Sequence, residues 1–463
     1  MNDSRPQEGQ PPEGETAPAA KGMAGVPALL PCFATDRPNE AIVLYEGGLK
    51  VGGLPEGDGV VSLDWLPTPW MRFRVETSSP TPVDMTALPR GVTLKERQVE
   101  TTGMLTGSEL RVGTAGSTQV VQGILDTTSV GESAILERLL FHIPNLPTFV
   151  GNPIHRQDAG GFHGWTGRLE VDDGLWEVTL DPLEKHRELL RHLGSVGGYS
   201  LTTVGQVRRV DSGPFSMAES RELLESIRFF LSLLAGRWTD SVLRVGFSPD
   251  NRRVSEEWHS PSVDPWRGRR SVFPEYVREW NRVREPRLLA VFRALRGYWA
   301  DPNWKDVVTW AISWLIESDK AVNADTSIVL SQAGLELLAW AQLVLRRKMS
   351  ARKFEALEAH KALSDLLDAV CIPTRLPNGT MLEEMHDLAS KCHVEGPEAF
   401  TRVRNAVVHP RRGERRPSPE LRIEASQLGL WYLQLALLRL LDYEDEYLDR
   451  LRSWSSERVP WAS

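Results

Sequence analysis

The spacing of apolar residues changes once along this 463-residue chain, and the change limits the folds that it can adopt. Over residues 41–210, short runs alternate between apolar and polar side chains and end at Gly, Pro, Asp or Ser, which is the pattern of half-buried strands. After Glu285 the apolar residues follow the helical repeat almost without interruption. The sequence therefore predicts an α+β multidomain protein, with a β-rich N-terminal domain followed by an all-α helical bundle.

The predicted organisation has three segments. Residues 1–24 are rich in Pro, Gly and Glu and lack the apolar stretch of a signal peptide, so we expect a disordered tail. Residues 25–280 form the β-rich domain, whose topology, sandwich or barrel, the pattern leaves open. Residues 281–463 form the bundle, and its closing helix is expected to cover residues 418–451.

Three local signals refine the β-rich domain. Asp172, Asp173 and Gly174 stand between two strand-like runs and predict a hairpin. A helix is expected over residues 181–194, with Asp181 as its N-cap and Gly194 at its end. A longer amphipathic helix should begin after Ser216 and end at Gly236.

Charge and cysteine usage limit the partners and the compartment. The formal net charge of −8 gives no whole-surface attraction to nucleic acid or to an anionic membrane, so contact with RNA would need a local basic patch. The three cysteines lie far apart and form no zinc or disulfide pattern, so we expect a reducing cytoplasm. The most apolar runs carry polar residues and are shorter than roughly 20 residues, which favours buried helices over membrane spans.

One basic patch stands out, at residues 400–416, FTRVRNAVVHPRRGERR, with six arginines, one asparagine and one histidine. Asn405 and His409 lie four apart, so on a helix the amide could hydrogen-bond the imidazole and orient it. Arg404 and His409 would diverge by roughly 140° on an ideal helix. Either Pro410 ends the helix and lets the imidazole leave the helical register, or the pair converges with copies from a second subunit across a two-fold axis.

This combination of side chains suits cleavage of RNA. The guanidinium of Arg404 can clamp a phosphate, and His409 can move a proton to or from the 2′-hydroxyl or the leaving oxygen. Because the 2′-hydroxyl is a built-in nucleophile, no metal or other cofactor is required and DNA would be spared. A structural reading stays open, in which Arg404 pairs with a carboxylate inside the bundle. Further arginines could hold the RNA backbone, namely Arg402, Arg411, Arg412, Arg415 and Arg416.

The stretch from Arg404 to His409 resembles the signature of HEPN domains, in which an arginine, usually followed by a polar residue, precedes a histidine by four to six residues. The likeness includes the apolar helix with AGLELLAW and the closing helix, and it covers about residues 285–450. The order of a β-rich half and a C-terminal HEPN bundle also resembles ApeA-type anti-phage proteins. For the N-terminal half the resemblance rests on domain order alone.

This resemblance implies a metal-independent endoribonuclease that acts as a homodimer with a composite cleft, in abortive-infection defence against phage or in toxin-like growth arrest. Arg404 and His409 would be the catalytic pair, with Asn405 as the polar position. Glu336 lies among leucines on the central helix and would support the site by pairing with Arg404, or would form a salt bridge elsewhere in the bundle. The β-rich domain would restrain the nuclease or sense a trigger, phage-derived or a nucleotide.

A second hypothesis is a non-catalytic protein, because some HEPN domains serve as dimerisation or nucleotide-binding scaffolds.

The other motifs in the sequence do not support a further function. His155 and His163 lie in a Gly-rich stretch whose spacing matches no zinc pattern, so we expect a polar loop there and no metal. HExxH, Walker A and GxSxG motifs are absent. Trp310 and Trp314 share one helix face and are expected to pack in the core.

Overall fold

The computed structural model describes residues 25–78, 90–113, 116–147, 151–158, 161–267, 273, 285–409 and 416–462. The predicted tail at residues 1–24 lies outside this set, as does the predicted domain boundary at residue 280. The chain is an α+β protein in which a β-rich region precedes a helical region, so the predicted fold class and order are confirmed.

The β-rich region begins with a closed six-stranded antiparallel barrel, which follows a two-residue strand, β1 (Val26–Pro27). Along the barrel strands, apolar side chains such as Val61, Leu63 and Phe73 are buried while their neighbours face outward, as the alternating sequence requires. Going round the barrel, the strands are β2 (Ile42–Val51), β3 (Gly57–Asp64), β4 (Trp70–Ser78), β7 (Gly116–Leu125), β6 (Val99–Gly113) and β5 (Arg90–Leu94).

A nine-stranded sheet forms the second part of this region. Its order is β1-β10-β11-β12-β13-β9-β14-β15-β8, antiparallel except for the β1–β10 pair. The strands are β8 (Thr128–Val130), β9 (Arg138–Pro144), β10 (Asn152–Asp158), β11 (Gly161–Asp172), β12 (Trp176–Pro182), β13 (Leu201–Arg209), β14 (Val242–Phe247) and β15 (Arg253–Trp258). Two helices connect its strands, α1 (His186–Val196) and α2 (Met217–Ala235). The question of sandwich or barrel thus resolves into a barrel and an open sheet.

Two of the three local predictions are confirmed. The predicted turn joins β11 to β12 as an antiparallel hairpin. Helix α2 begins after Ser216, which forms a capping box with Glu219, and it ends at Gly236 in the left-handed conformation with φ 63°. Local turn and capping chemistry fixed these elements, so the sequence was sufficient to place them.

The boundaries predicted for α1 are wrong. Asp181 does not cap the helix; it lies at the end of β12, where its buried carboxylate accepts hydrogen bonds from Arg168 and from the backbone N–H of Leu29. The helix begins at His186 instead, and it runs through Gly194 to end at Gly197, which takes the positive φ of 68°. A buried guanidinium from a neighbouring strand outcompeted the helix terminus for this carboxylate.

The helical region contains eight helices among the described residues. They are α3 (Glu285–Trp299), α4 (Pro302–Asp319), α5 (Ala324–Trp340), α6 (Ala351–Glu355), α7 (Ala359–Ala369), α8 (Glu383–Cys392), α9 (Gly396–Val408) and α10 (Pro419–Leu440), with a π-helical continuation of α5 at Ala341–Arg346. As predicted, α5 is central: it packs against α4, α7, α9 and α10.

The closing helix is shorter than predicted, and the bundle is not all-α. Helix α10 ends at Leu440, and Asp442 adopts a left-handed φ of 53°. The chain then forms a two-stranded antiparallel sheet, β16 (Glu446–Asp449) and β17 (Ser455–Arg458). In β16 buried and exposed side chains alternate, so the apolar repeat changes from the helical period to that of a strand.

One hydrophobic core continues from the nine-stranded sheet through α2 into the helical region. Phe230 of α2 packs edge-on against Phe292 of α3 with ring centroids 5.2 Å apart, and Phe229 packs against Trp299 at 5.6 Å. The change from strands to helices along the chain is therefore not a boundary in packing.

Within the described residues, one helical stretch, Ala324–Arg346, is long and apolar enough to cross a membrane by composition. More than half of its most apolar window is buried inside the protein. This is the burial expected of the core helix of a soluble protein, in agreement with the prediction of buried helices.

Candidate functional site

The arginine–histidine motif, which is the stretch from Arg404 to His409, lies at the C-terminal end of α9. Phe400 and Val403 are buried and hold this helix on the bundle, and Pro397 occupies its first turn, where a missing N–H costs nothing. The helix ends at Val408, and His409 leaves helical geometry with φ −124° and ψ 62° while its backbone N–H still bonds to Asn405 O at 2.8 Å. The helix end predicted from the following proline is confirmed; Pro410 itself lies outside the described residues.

Arg404 is half-buried and is held by its neighbour. Its Nη1 donates to Asn405 Oδ1 at 3.1 Å, while its buried Nε has no hydrogen-bond partner. None of the ion pairs formed by the described residues involves Arg404, so the alternative of a carboxylate partner inside the bundle is not observed. The guanidinium thus keeps donors and charge for an external anion.

His409 and Asn405 are both exposed, but they do not form the predicted side-chain hydrogen bond. The Asn405 oxygen turns to Arg404, which lies next to it in sequence and offers a charged donor. Within the part of the chain that the structure describes, the His409 imidazole makes no hydrogen bond. It therefore stands at the surface with both ring nitrogens available.

Glu336 does not pair with Arg404. Its neighbours Leu335 and Leu338 are buried, but the helical rotation carries Glu336 to the exposed face of α5. There it accepts a hydrogen bond from Gln332 Nε2, one turn earlier, at 2.7 Å. The leucines around Glu336 in sequence suggested that it would be buried, but the geometry of the helix places it on the exposed face.

Two of the five flanking arginines, Arg402 and Arg416, belong to the described residues. Arg402 is exposed and pairs with Glu398 at 2.8 Å, one turn earlier on α9, so part of its charge is offset. Arg416 is exposed and precedes α10. Three more lie outside the described residues, namely Arg411, Arg412 and Arg415.

The other sequence candidates show no metal site. Among the described residues no group of three or more His, Cys, Asp or Glu side chains could hold a metal ion. His155 and His163 lie on the paired strands β10 and β11 rather than in a loop, and His163 Nδ1 is 3.5 Å from Glu184. Trp310 and Trp314 stack at 5.9 Å as their spacing predicts, but Trp310 is 56% exposed rather than buried in the core.

A second polar cluster was missed by the sequence reasoning. His259 Nε2 lies 3.3 Å from the buried Asp240, and Arg228 and Arg244 line the same cleft between the barrel, the nine-stranded sheet and α2. Arg228 comes from α2 and Arg244 from β14, whereas Asp240 and His259 lie in the loops before β14 and after β15, so no local motif joins them.

Comparison with known protein families finds two matches in this chain. Residues 131–269 match the YopA central domain, and residues 301–460 match the YopA C-terminal domain. The first stretch covers seven strands of the nine-stranded sheet, β9 to β15, with α1 and α2. The second covers the helical region from α4 onward, including the arginine–histidine motif.

The chain is also similar to a protein described as the SPbeta prophage-derived uncharacterized protein YopA of Bacillus subtilis (strain 168). The two are 27% identical over 351 residues, which is 74% of this chain and 76% of that protein. No solved structure gave a significant match.

Proposed function

We propose that this protein is a metal-independent, HEPN-type endoribonuclease of the cytoplasm that acts as a homodimeric effector in abortive-infection defence against phage. The observation that carries the proposal is the end of α9, where a half-buried Arg404 without a carboxylate partner precedes an exposed His409. The similar Bacillus protein is described as prophage-derived, which is compatible with a role in competition between phages.

The chemistry needs three groups at one phosphodiester. Arg404, oriented by Asn405, clamps the non-bridging phosphate oxygens and offsets the charge that builds on them. His409 takes the proton of the 2′-hydroxyl, whose oxygen attacks phosphorus as the bond to the 5′-oxygen breaks. The leaving 5′-oxygen takes a proton from an acid, and the products are a 2′,3′-cyclic phosphate and a 5′-hydroxyl.

A dimer would supply both the base and the acid, because one chain contributes a single His409 at this site. The packed helices α5, α9 and α10 each expose a branched apolar side chain: Val329, Val408 and Ile423. Exposed apolar side chains on the helix that carries the catalytic pair and on two helices packed against it favour association of two copies through this part of the protein. His409 of one protomer then acts as base and the partner's His409 as acid.

The scaffold hypothesis is the second candidate. Two observations favour it: the net charge of −8, which opposes RNA, and the pairing of Arg402 with Glu398, which removes part of the local basic patch. In that case the helical region would dimerise or bind a nucleotide without cutting RNA.

Expression in phage-challenged cells separates the two candidates. We expect cells with the wild-type protein to degrade total RNA and resist phage, and cells with Arg404→Ala or His409→Ala to lose both effects. Arg352→Ala, an exposed arginine on α6, is the matched control and should behave as the wild type. Resistance that persists in both folded variants rules out the nuclease, and intact RNA in challenged wild-type cells favours the scaffold.

A further inference from the structure

A wide cleft lies at the junction of the barrel, the nine-stranded sheet and the helical region. It has a volume of about 930 Å³, which lies in the range of small-molecule sites. Barrel residues form one wall, α2 forms another, and the first turn of α4 closes one side. Its lining includes Trp70, Arg228, Asp240, Glu257, His259 and Lys305.

Two of the arginines in the cleft are already neutralised. The carboxylate of Glu257 is buried and pairs with Arg244 and, at 2.9 Å, with Arg221, which also pairs with Glu132 at 2.6 Å, so that two carboxylates offset two guanidinium groups. Burial by itself opposes ionisation of Glu257, but the two guanidinium groups outweigh it and lower the pKa of this carboxyl. This ion-pair cluster is therefore a fixed part of the wall.

Arg228 differs from them because none of the ion pairs among the described residues involves it. Its guanidinium lies over the rings of Trp238 and Phe229, at 5.0 and 5.5 Å from their centroids, and its buried Nε has no hydrogen-bond partner. The stacking holds the planar group in place without using its donors. Arg228 is thus a fixed cation with free hydrogen-bonding capacity.

His259 is the second group with unused capacity. Its Nε2 lies 3.3 Å from Asp240 Oδ2, and the same carboxylate accepts hydrogen bonds from the backbone N–H groups of Ser241 and Ser262. The other ring nitrogen, Nδ1, is buried and has no hydrogen-bond partner. Arg228 and His259 both line the cleft, and each has a buried nitrogen without a hydrogen-bond partner. Because buried polar groups are normally satisfied, these two residues favour a polar ligand in the cleft.

An exposed aromatic side chain lies beside this pair. Trp70, at the start of β4, is 37% exposed and lines the cleft. The backbone N–H of the next residue, Met71, donates to Ser260 Oγ at 2.9 Å, which ties this end of the barrel to the residue that follows His259. An exposed indole next to cationic groups is a surface on which a nucleobase can stack.

The rim of the cleft is acidic. Glu222 and Glu225 are exposed on α2 and lie 3.7 and 3.5 Å from Lys305 of α4. Carboxylates repel an extended polyanion such as RNA, but they accept hydrogen bonds from ribose hydroxyl or base amino groups. The mixture of charges therefore fits one small phosphorylated ligand better than a nucleic-acid strand.

We propose that this cleft binds a single ribonucleotide, with its phosphate on Arg228 and His259, its base on Trp70 and its ribose at the acidic rim. Because Lys305 belongs to the helical region, the ligand would contact both regions of the protein. We infer that this nucleotide is the trigger that activates the nuclease, and this role rests on the proposed function. The binding itself does not depend on RNA cleavage.

Isothermal titration of the full chain tests the proposal, with ribonucleoside mono- and triphosphates, adenosine and inorganic phosphate as probes. We expect at least one nucleotide to bind at one site per chain, and adenosine and phosphate to bind about 10-fold more weakly or not at all. Arg228→Gln and Trp70→Ala should each weaken nucleotide binding about 10-fold, and Arg352→Gln, outside the cleft, should not change it.

Binding of no nucleotide to the wild type, or equal binding to the Arg228→Gln and Trp70→Ala variants, would overturn the proposal. Phosphate that binds as tightly as the nucleotides would also overturn it, since the base would then make no contribution. The Arg404→Ala, His409→Ala double variant should bind nucleotide like the wild type. Cleavage without binding contradicts this inference alone, and binding without cleavage contradicts the nuclease alone.

Discussion

His142 shows how a single buried polar residue fixes the geometry of the β-rich region. It lies fully buried in β9, where its Nε2 accepts the backbone N–H groups of Cys32 and Phe33, each at 3.1 Å, and its Nδ1 donates to Leu243 O at 3.1 Å. These partners require a neutral imidazole with its proton on Nδ1. Burial lowers the pKa of His142 to about 4, from an ordinary value of 6.5.

Stability should therefore fall on mild acidification. The unfolded state takes up the proton below about pH 6.5 and the folded state only near pH 4, so the contribution of His142 is complete above pH 6.5 and is lost as the pH falls towards 4. Between about pH 7.5 and pH 5 we expect a loss of roughly 2 kcal/mol in the free energy of unfolding. Urea titrations of wild type and His142→Gln measure it, and equal pH dependence of the two would contradict this assignment.

The arginine–histidine motif shows what sequence predicts at this scale and what it does not. Spacing and Pro410 were enough to predict that the helix ends at His409, because that limit is local and steric. The partner of Asn405 was not predictable, since both Arg404 and His409 lie within reach of its amide. The exposed position of Glu336 depends on which face of α5 meets the bundle, which the leucines around it do not define.

At the scale of elements, close helix packing positions α9. Gly429 of α10 lies where a Cβ atom would come within 2.6 Å of both Phe400 on α9 and Ser331 on α5. The missing side chain lets the three helices approach, and Phe400 lies one turn before Arg404 on the same helix. The glycine is thus part of what places the candidate site.

Gly429→Ala should destabilise the protein by about 1–2 kcal/mol, because overpacking outweighs the better helix propensity of alanine. Gly297→Ala on α3 is the matched control: a Cβ there meets nothing within 4 Å, so we expect a gain of about 0.5–1 kcal/mol. Thermal or urea unfolding gives both values. A Gly429→Ala protein as stable as the Gly297→Ala protein would show that α10 does not pack so closely.

The predicted element boundaries were correct where local capping signals were strong. They were wrong where contacts with residues distant in sequence determined where an element begins or ends. The capping box at Ser216 fixed α2. The start of α1 depended on Arg168, a strand away from Asp181, and the end of α10 depended on the pairing of β16 with β17. Such contacts are non-local, and the local patterns of a single sequence do not show them.

At the scale of the whole molecule, the order of β-rich and helical regions was predictable from periodicity, but barrel closure and the shared core were not. Closure pairs β2 with β5, and the core joins α2 to α3 across the predicted boundary. The cleft at this junction combines residues from β4, α2, β15, the loop after it and α4, so it exists only in the assembled protein.

The exposed apolar side chains of α5, α9 and α10 predict a dimer. We expect sedimentation equilibrium of the wild type to give twice the chain mass, and Ile423→Lys to give a monomer that has also lost RNA cleavage. Val196→Lys on α1, an apolar side chain that is also exposed but lies in the β-rich region, is the control and should remain a dimer. A monomeric wild type, or an Ile423→Lys variant that remains dimeric, would contradict this surface as the interface.

The central claim is tested most directly with purified protein, a labelled single-stranded RNA and its all-DNA counterpart, in EDTA and with ribonucleotides present. We predict cleavage of RNA to products with a 2′,3′-cyclic phosphate, no cleavage of DNA, and a rate reduced by about 100-fold or more in Arg404→Ala and in His409→Ala. Arg352→Ala should cleave like the wild type. RNA that stays intact with the wild-type protein, or cleavage that persists in both folded variants, would contradict the account.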